Sequence, residues 1–158
     1  MLKVIIMSPK RKTLPNLKDI KDSNPKDAVG VLKPGISNVP MFPLMELAVA
    51  MGEGAVKYGR HNYRAIGVRA SVYVDAIMRH LVSFWEGEDI DEVSGLPHII
   101  KIMACCVVLR DAQMMGKYYD DRPPRIASPV EVLAKLEEKV KELAKKFPNP
   151  REPFTELK

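Results

Sequence analysis

The stretch SVYVDAIMRHLVSFWEGEDIDEVSGLPHIIKIMACCVVLRDAQMMG (residues 71–116) decides the fold of this chain. Ser71 stands where an N-cap is expected, and the apolar residues after it recur at helical spacing, which predicts a helix over residues 71–86. A short acidic turn follows, and Ser94 is then placed to cap a long apolar helix that ends near Gly116. The near-continuous hydrophobicity of this second helix predicts burial on most of its sides.

Two more helices are predicted, one on either side of this hairpin. The sequence PLMELAVAMGEGAVKY (residues 43–58) has Pro43 at the first helical position and then repeats apolar residues at helical spacing. Near the C-terminus, SPVEVLAKLEEKVKELAKKF (residues 128–147) has Ser128 as an N-cap, and Glu131 completes a capping box. We therefore predict an all-α fold with four main helices in a bundle.

The 158 residues fit one domain, which the distribution of proline and glycine divides into three segments. Residues 1–43 carry these residues too often for a long helix and are predicted to form an extended Pro-rich arm, in which MLKVII is compatible with a short strand. Residues 44–118 form the predicted helical core domain. Residues 119–158 contain a Pro-rich link and the C-terminal amphipathic helix.

Composition and charge restrict the class of protein. The chain is 46% hydrophobic and 28% charged, which is ordinary for a globular domain. Much of the net charge of +5 comes from the two ends, so we do not expect a nucleic-acid partner. The sequence has no signal peptide and no apolar run of membrane-spanning length, and we expect a cytoplasmic protein without a membrane span. Cys105 and Cys106 are predicted to be buried thiols.

Three carboxylates are candidates for a metal site. Glu46 and Glu53 are seven residues apart on the first predicted helix, so they share nearly one face. Asp75 lies inside the next helix, and antiparallel packing of the two helices would bring it level with Glu53. Three carboxylates on facing helices make an oxygen site suited to Mg²⁺ or Mn²⁺. Exposed glutamates at this spacing are also common on helices that bind nothing.

Two histidines and one arginine form a second candidate group. The mirror symmetry of the predicted hairpin places His80 beside His98. The pair is compatible with phosphate donors, a general acid or a structural hydrogen-bond network, while a zinc pair lacks a third soft ligand. Arg79 is four residues from Asp75, so it either pairs with that carboxylate or clamps a phosphate.

The connection after the first helix, KYGRHNYR (residues 57–64), combines cations with aromatic rings. A nucleoside triphosphate needs cations for its phosphates and flat rings for its base, and Lys57, Tyr58, Asn62 and Tyr63 offer both. A solvated loop can have the same composition.

An acidic string, EGEDIDE, follows at residues 86–92. It lacks the ligand order of a calcium loop, so we expect it to cap the turn, to orient the two histidines or to stay solvated. The sequence contains no Walker A, GxGxxG or GxSxG motif, which argues against the corresponding phosphate-binding and nucleophile sites.

Five motifs occur in one order: NPKDAVGVLKPGISNVP (residues 24–40), EGAVKYGRHNYR (53–64), VRASVYVDAIMRHLVSFWEGEDID (68–91), SGLPH (94–98) and DDRP (120–123). Together they resemble the N-terminal domain of the phage-type dATP/dGTP diphosphohydrolases, which is similar to the MazG-like all-α NTP pyrophosphohydrolases. The resemblance covers about residues 23–124 and leaves the C-terminal helix outside.

The resemblance implies hydrolysis of a purine deoxynucleoside triphosphate, dGTP or dATP, between its α and β phosphates. The products are the monophosphate and pyrophosphate, and the cofactor is Mg²⁺ or Mn²⁺. In some phages this reaction supplies dGMP for 2-aminoadenine nucleotides, and a phage-encoded enzyme acts in the host cytoplasm.

The chain departs from the MazG-type signature, which pairs ExxE on one helix with ExxD on the next, because Val49 stands three residues after Glu46. We therefore expect the metal ligands to be Glu46, Glu53 and Asp75, with His80 as a further catalytic residue. Tyr63 also stands where Trp is expected. The expected substrate-binding residues are Lys57, Tyr58, Asn62, Tyr63, Arg79 and His98.

Two other classes of function remain open at this point. A nucleic-acid-binding accessory protein would use the basic ends of the chain, and a nucleotide-binding regulator would keep the pocket without turnover. Four helices with a polar inner seam bury little per subunit, so we also expect a homo-oligomer, a dimer or a tetramer.

Overall fold

The structure, a computed structural model, describes residues 25–30 and 32–155. It is dominated by helices, which confirms the all-α prediction, while the predicted MLKVII strand lies outside the described residues. Among the described helices, none is both long and apolar enough to cross a membrane. The helices are α1 (Pro25–Gly30), α2 (Met41–Tyr58), α3 (Asn62–Ala65), α4 (Ala70–Trp85), α5 (His98–Met114) and α6 (Pro129–Lys146). The strands are β1 (Val68–Arg69), β2 (Ile90–Asp91), β3 (Leu96–Pro97) and β4 (Tyr118–Tyr119).

Helix α5 is the centre of the fold, because α2 and α4 both pack mainly against it. Its buried residues include Val108 and Ala112, which form the core together with Tyr63 and Val68. The prediction that α5 is buried on most sides is only partly confirmed, since Ile99 and others on its outer face are exposed. The two thiols also differ from the prediction: Cys105 is partly buried and Cys106 is exposed.

A pair of two-residue strands joins the start of α4 to the end of α5. Strand β1 pairs in parallel with β4, with Val68 opposite Tyr118. Gly67 makes this close approach possible: its φ is +93°, and a Cβ there would lie 2.9 Å from the carbonyl oxygen of Lys117. Because the extended backbone continues to Arg69, α4 begins at Ala70. We call the β1–β4 pair, with its flanking contacts, the clasp.

The clasp changes the role of Ser71, which was predicted to be an N-cap. Ser71 lies inside α4, and both its backbone N–H (2.9 Å) and its hydroxyl (2.5 Å) donate to the carboxylate of Asp121. A carboxylate at the N-terminus of a helix is favourable because it accepts from free N–H groups. The capping acceptor for α4 therefore comes from a residue after α5 in the chain.

Ser94, the second predicted cap, lies in a turn and not at a helix end. Strands β2 and β3 form a short antiparallel ribbon between α4 and α5, with Asp91 opposite Leu96. The ribbon keeps the backbone extended through Pro97, so α5 begins only at His98. Ser94 donates to the Asp91 carboxylate from its N–H and its hydroxyl.

The described residues before α2 and after β4 contain further helical segments. Helix α1 and a 3-10 turn at Ile36–Asn38 lie within the segment predicted to be an extended arm. Helix α2 begins at Met41, so Pro43 falls in its first turn, where a missing N–H costs no helical bond. Helix α6 begins after Ser128 as predicted, but the Ser128 side chain makes no capping bond and no α6 residue is buried.

Candidate functional site

A cavity of about 820 Å³ opens between α2, α5 and the loop that follows α2. This volume is typical of small-molecule sites. Apolar residues of α2 and α5 contribute to its lining, together with polar and aromatic groups. The polar and aromatic lining residues are Glu53, Lys57, Tyr58, Arg60, His61, Asn62, Tyr63, Tyr73, His80 and Lys101.

The loop reaches the cavity because the backbone reverses sharply where α2 ends. Gly59 has φ +89°, and His61 has φ +60°, in the left-handed region that histidine tolerates better than most residues. The Tyr63 ring is consequently buried in the core while its hydroxyl lies 3.5 Å from Nδ1 of His61. The loop is also fixed to α5 by a two-point contact, in which Arg64 donates two 2.7 Å hydrogen bonds to Asp111.

Glu53 is the central charged group of the cavity wall. Its carboxylate accepts hydrogen bonds from Lys101 on α5 and from Lys57 one turn later on α2. These contacts, that of Lys101 first, hold the pKa of Glu53 below its usual value, so the carboxylate is ionised. Two cations around one anion leave an excess positive charge, which favours binding of a phosphorylated ligand.

The two histidines lie side by side, which confirms the placement predicted from the hairpin. Nδ1 of His80 is 2.8 Å from Nδ1 of His98. Burial, and then the neighbouring His98, lower the pKa of His80, which favours its neutral form at pH 7. His98 is only 3% exposed, and its Nε2 lies 3.4 Å from the Glu88 carboxylate without forming a hydrogen bond.

Asp91 joins this pair as a third polar group. One ligand atom each from His80, Asp91 and His98 lie within 4.8 Å of one another. The hydrogen bond from the Ser94 hydroxyl lowers the pKa of Asp91 and keeps it ionised. From the sequence, we expected residues 86–92 to cap the turn, to orient the two histidines or to stay solvated. Asp91 had no role of its own in that prediction. Asp91 comes close to the start of α5 through the register of the β2–β3 ribbon, which the sequence analysis did not predict.

The structure brings six of the predicted site residues together and leaves four outside the cavity. Those lining the cavity are Glu53, Lys57, Tyr58, Asn62, Tyr63 and His80. Those elsewhere are Glu46, Asp75 and Arg79, which are exposed, and His98, which is buried behind His80.

The predicted carboxylate set is not brought together. Glu46 lies about 10 Å along α2 from Glu53, and Asp75 is exposed on α4. The prediction assumed that α2 and α4 face each other, whereas both pack mainly on α5. Within the described residues, Glu46, Glu53 and Asp75 do not form a group with metal-ligand spacing, and Asp75 makes no ion pair with Arg79.

Lys101 is the cavity residue that the sequence prediction missed. It is the one charged side chain in the first three turns of α5. An isolated cation in an apolar helix is the feature of the sequence that could have indicated a functional role for Lys101. Its partner Glu53 is 48 residues away in sequence. That contact depends on the packing of α2 on α5, which the local pattern does not contain.

The fold and the cavity define a class: an all-α protein with a cation-rich pocket of a size and charge that suit a phosphorylated small molecule. Within this class, the chain belongs to the dATP/dGTP diphosphohydrolase family, whose N-terminal domain matches residues 23–122. This confirms the resemblance drawn from the motifs, and the family is one of nucleotide hydrolases. Neither the curated proteins nor the solved structures gave a match to the chain.

Proposed function

We propose that the protein hydrolyses purine deoxynucleoside triphosphates, dGTP or dATP, to the monophosphate and pyrophosphate. The observation that carries the proposal is the Glu53, Lys57 and Lys101 group on the wall of a nucleotide-sized cavity, in a chain of the dATP/dGTP diphosphohydrolase family. The helical architecture is compatible with the expected similarity to MazG-like enzymes. The cellular setting that we propose is phage nucleotide-pool or modified-purine metabolism in the host cytoplasm.

The cavity offers separate groups for the two ends of the substrate. Lys57 and Lys101 are the cations for the triphosphate, because both already hold an anionic oxygen through charge-assisted hydrogen bonds. Tyr58 and Asn62, at the loop end of the cavity, are placed for the base and the sugar. Binding of the triphosphate would turn the two ammonium groups from Glu53 towards the phosphates and free the carboxylate.

Mg²⁺ or Mn²⁺ is the proposed cofactor. Of the three predicted carboxylate ligands, one lines the cavity. Mg²⁺ typically keeps several waters and binds through one or two carboxylates together with substrate phosphates. Glu53 is the one predicted ligand on the cavity wall that supplies such a carboxylate. When bound, the ion supplies charge neutralisation on the phosphates and a bound water of lowered pKa.

In the hydrolysis that we propose, side chains of the protein stabilise the charges and position the reacting groups. Water adds to the α phosphorus, the bond to the oxygen that bridges to the β phosphorus breaks, and pyrophosphate leaves. Lys57 and Lys101 neutralise the charge that develops on the leaving group. His80, kept neutral on the cavity wall, is placed to hydrogen-bond a phosphate oxygen or the water. Arg79 is exposed outside the cavity and has no part in this proposal.

The test is a panel of dNTPs and NTPs incubated with Mg²⁺ or Mn²⁺, with the products resolved by chromatography. We expect pyrophosphate release from dGTP or dATP and a loss of about 100-fold in kcat/KM for Glu53→Gln. Glu142→Gln on α6 is the matched control, since it makes the same chemical change outside the cavity. Near-normal turnover by folded Glu53→Gln would reject the role given to Glu53.

The same panel separates the other classes of function. A nucleotide-binding regulator binds dGTP or dATP without releasing pyrophosphate. A nucleic-acid-binding protein shows salt-dependent affinity for DNA and no response to the free nucleotides.

A further inference from the structure

We infer that His80, Asp91 and His98 form a binding site for a divalent transition-metal ion, separate from the Glu53 carboxylate. The three side chains come from α4, β2 and the first turn of α5. Their ligand atoms lie within 4.8 Å of one another, and the two Nδ1 atoms are 2.8 Å apart. An ion about 2.1 Å from each ligand separates neighbouring ligand atoms by about 3–4 Å. Only small side-chain movements are therefore needed to admit an ion.

The donor set selects the kind of ion. Imidazole nitrogens suit Zn²⁺, Fe²⁺, Co²⁺ and Ni²⁺, whereas Mg²⁺ prefers an all-oxygen environment. Two imidazoles and one carboxylate supply three ligands and leave further coordination positions for water or a phosphate oxygen. Asp91 thus provides the third ligand that the histidine pair lacked in the sequence.

The environment of His98 gives an independent reason to place an ion here. The ring is 3% exposed, and its Nε2 is buried with no hydrogen-bond partner. The nearest carboxylate to that nitrogen is Glu88, 3.4 Å away. A histidine that binds a metal through one nitrogen usually donates its other N–H to a carboxylate. An ion on Nδ1 would fix the proton on Nε2, where Glu88 is the acceptor.

The backbone around the site is already fixed by other contacts. Asp91 accepts the N–H of Ser94 at 3.2 Å and also its hydroxyl, and strand β2 pairs with β3. The N–H of His98 donates to the carbonyl oxygen of Asp89 at 3.0 Å. Such a frame holds the ligands near their bound positions, which lowers the ordering cost of binding.

The site adjoins the cavity, because His80 belongs to both. An ion held there would lie at the cavity wall. The inference concerns ion binding by the resting protein and needs no turnover, so its failure and the failure of the proposed hydrolysis are observed in different experiments.

The experiment uses the full chain after removal of metals by a chelator and dialysis. Co²⁺ is titrated against visible absorbance, and Zn²⁺ is then added to compete. The variants are His80→Ala and Asp91→Asn, and circular dichroism checks that each folds. His61→Ala is the matched control, because His61 is the third of the three histidines in the chain and lies outside the site.

We expect one Co²⁺ per chain, displaced by Zn²⁺ and not by millimolar Mg²⁺. Each site variant should weaken binding at least tenfold, on the scale known for perturbed metal sites, and His61→Ala should bind as the unchanged protein does. Ring ¹⁵N signals of the unchanged protein give a second measurement: Zn²⁺ should shift those of His80 and His98 and spare that of His61. Absence of saturable Co²⁺ binding, equal affinity in the site variants, or a Zn²⁺ shift confined to His61 would overturn the inference.

Discussion

At the scale of single residues, the cavity loop is fixed by an ion pair and not by packing alone. Arg64 donates from Nε and Nη2 to the two carboxylate oxygens of Asp111, and the Arg64 guanidinium lowers the pKa of the Asp111 carboxyl. Arg64 belongs to the cation-rich stretch of residues 57–64, but it pairs with a carboxylate of α5 and does not line the cavity. Lys57 and Lys101 do line it, and they are the phosphate-binding cations of our proposal.

This ion pair predicts a pH-dependent contribution to stability. Because the folded-state pKa of Asp111 is below its unfolded value of about 3.9, its contribution is present above that value and is lost as the pH falls through the folded-state pKa. Asp111→Asn should therefore lower the free energy of unfolding more at pH 7 than at pH 3, where part of the contribution has been lost. Urea denaturation at the two pH values measures this. Asp89→Asn, on an exposed residue, is the control, and an equal loss at both pH values would contradict the prediction.

At the scale of elements, the clasp between β1 and β4 determines where α4 begins. Gly67 approaches the carbonyl oxygen of Lys117, and the N–H of Val68 donates to the same oxygen at 2.9 Å. Two short strands therefore place the start of α4 against the end of α5. They also bring Asp121 to the first turn of α4, where it replaces the predicted Ser71 cap.

Gly67→Ala tests the clasp. The new Cβ would meet both an unfavourable φ and the Lys117 carbonyl, so we expect a loss of about 2 kcal/mol or more in the free energy of unfolding. Gly59→Ala is matched for backbone strain, since its φ is +89° and nothing lies within 4 Å of an added Cβ. Chemical denaturation should show the larger loss for Gly67→Ala. Equal losses would mean that the close approach contributes nothing.

At the scale of the whole molecule, the single chain leaves large apolar surfaces exposed. Trp85, at the end of α4, is 81% exposed. Along α6 and at the residue that follows it, five apolar residues are spaced alternately three and four residues apart, as in the seam of a coiled coil, and all five are exposed. The seam residues are Leu133, Leu136, Val140, Leu143 and Phe147. Surfaces of this kind support the proposed homo-oligomer, a dimer or a tetramer.

Helix α6 offers a direct test of that proposal. We expect sedimentation at micromolar concentration to show a dimer or a tetramer, and Leu136→Glu to shift it towards smaller species by placing a charge in the seam. Lys145→Gln changes the net charge by the same amount on the opposite face of α6 and should leave the assembly intact. Sedimentation that shows only a monomer for the protein without substitutions would contradict the proposed homo-oligomer.

The sequence predicted those parts of the fold that depend on local pattern. Four long helices and the meeting of His80 with His98 followed from periodicity and from the symmetry of one hairpin. The first predicted helix start was right to within one residue, but the capping role of Ser71 was wrong, and so was the helix start after Ser94. In both places short strand pairs overrode the local capping preference. The structure does not bring Glu46, Glu53 and Asp75 together for a related reason, since the angular position of a residue on its own helix does not say which helix lies opposite.

The clasp also bears on the order in which the chain folds. Ser71 and Asp121, which it brings together, are 50 residues apart, and closing a flexible loop of that length costs on the order of 3 kcal/mol in chain entropy. The hairpin of α4 and α5 shortens that loop once it has formed, so we expect the clasp to close after the hairpin. Gly67→Ala should then accelerate unfolding and leave the refolding rate almost unchanged, as expected for a contact absent from the transition state.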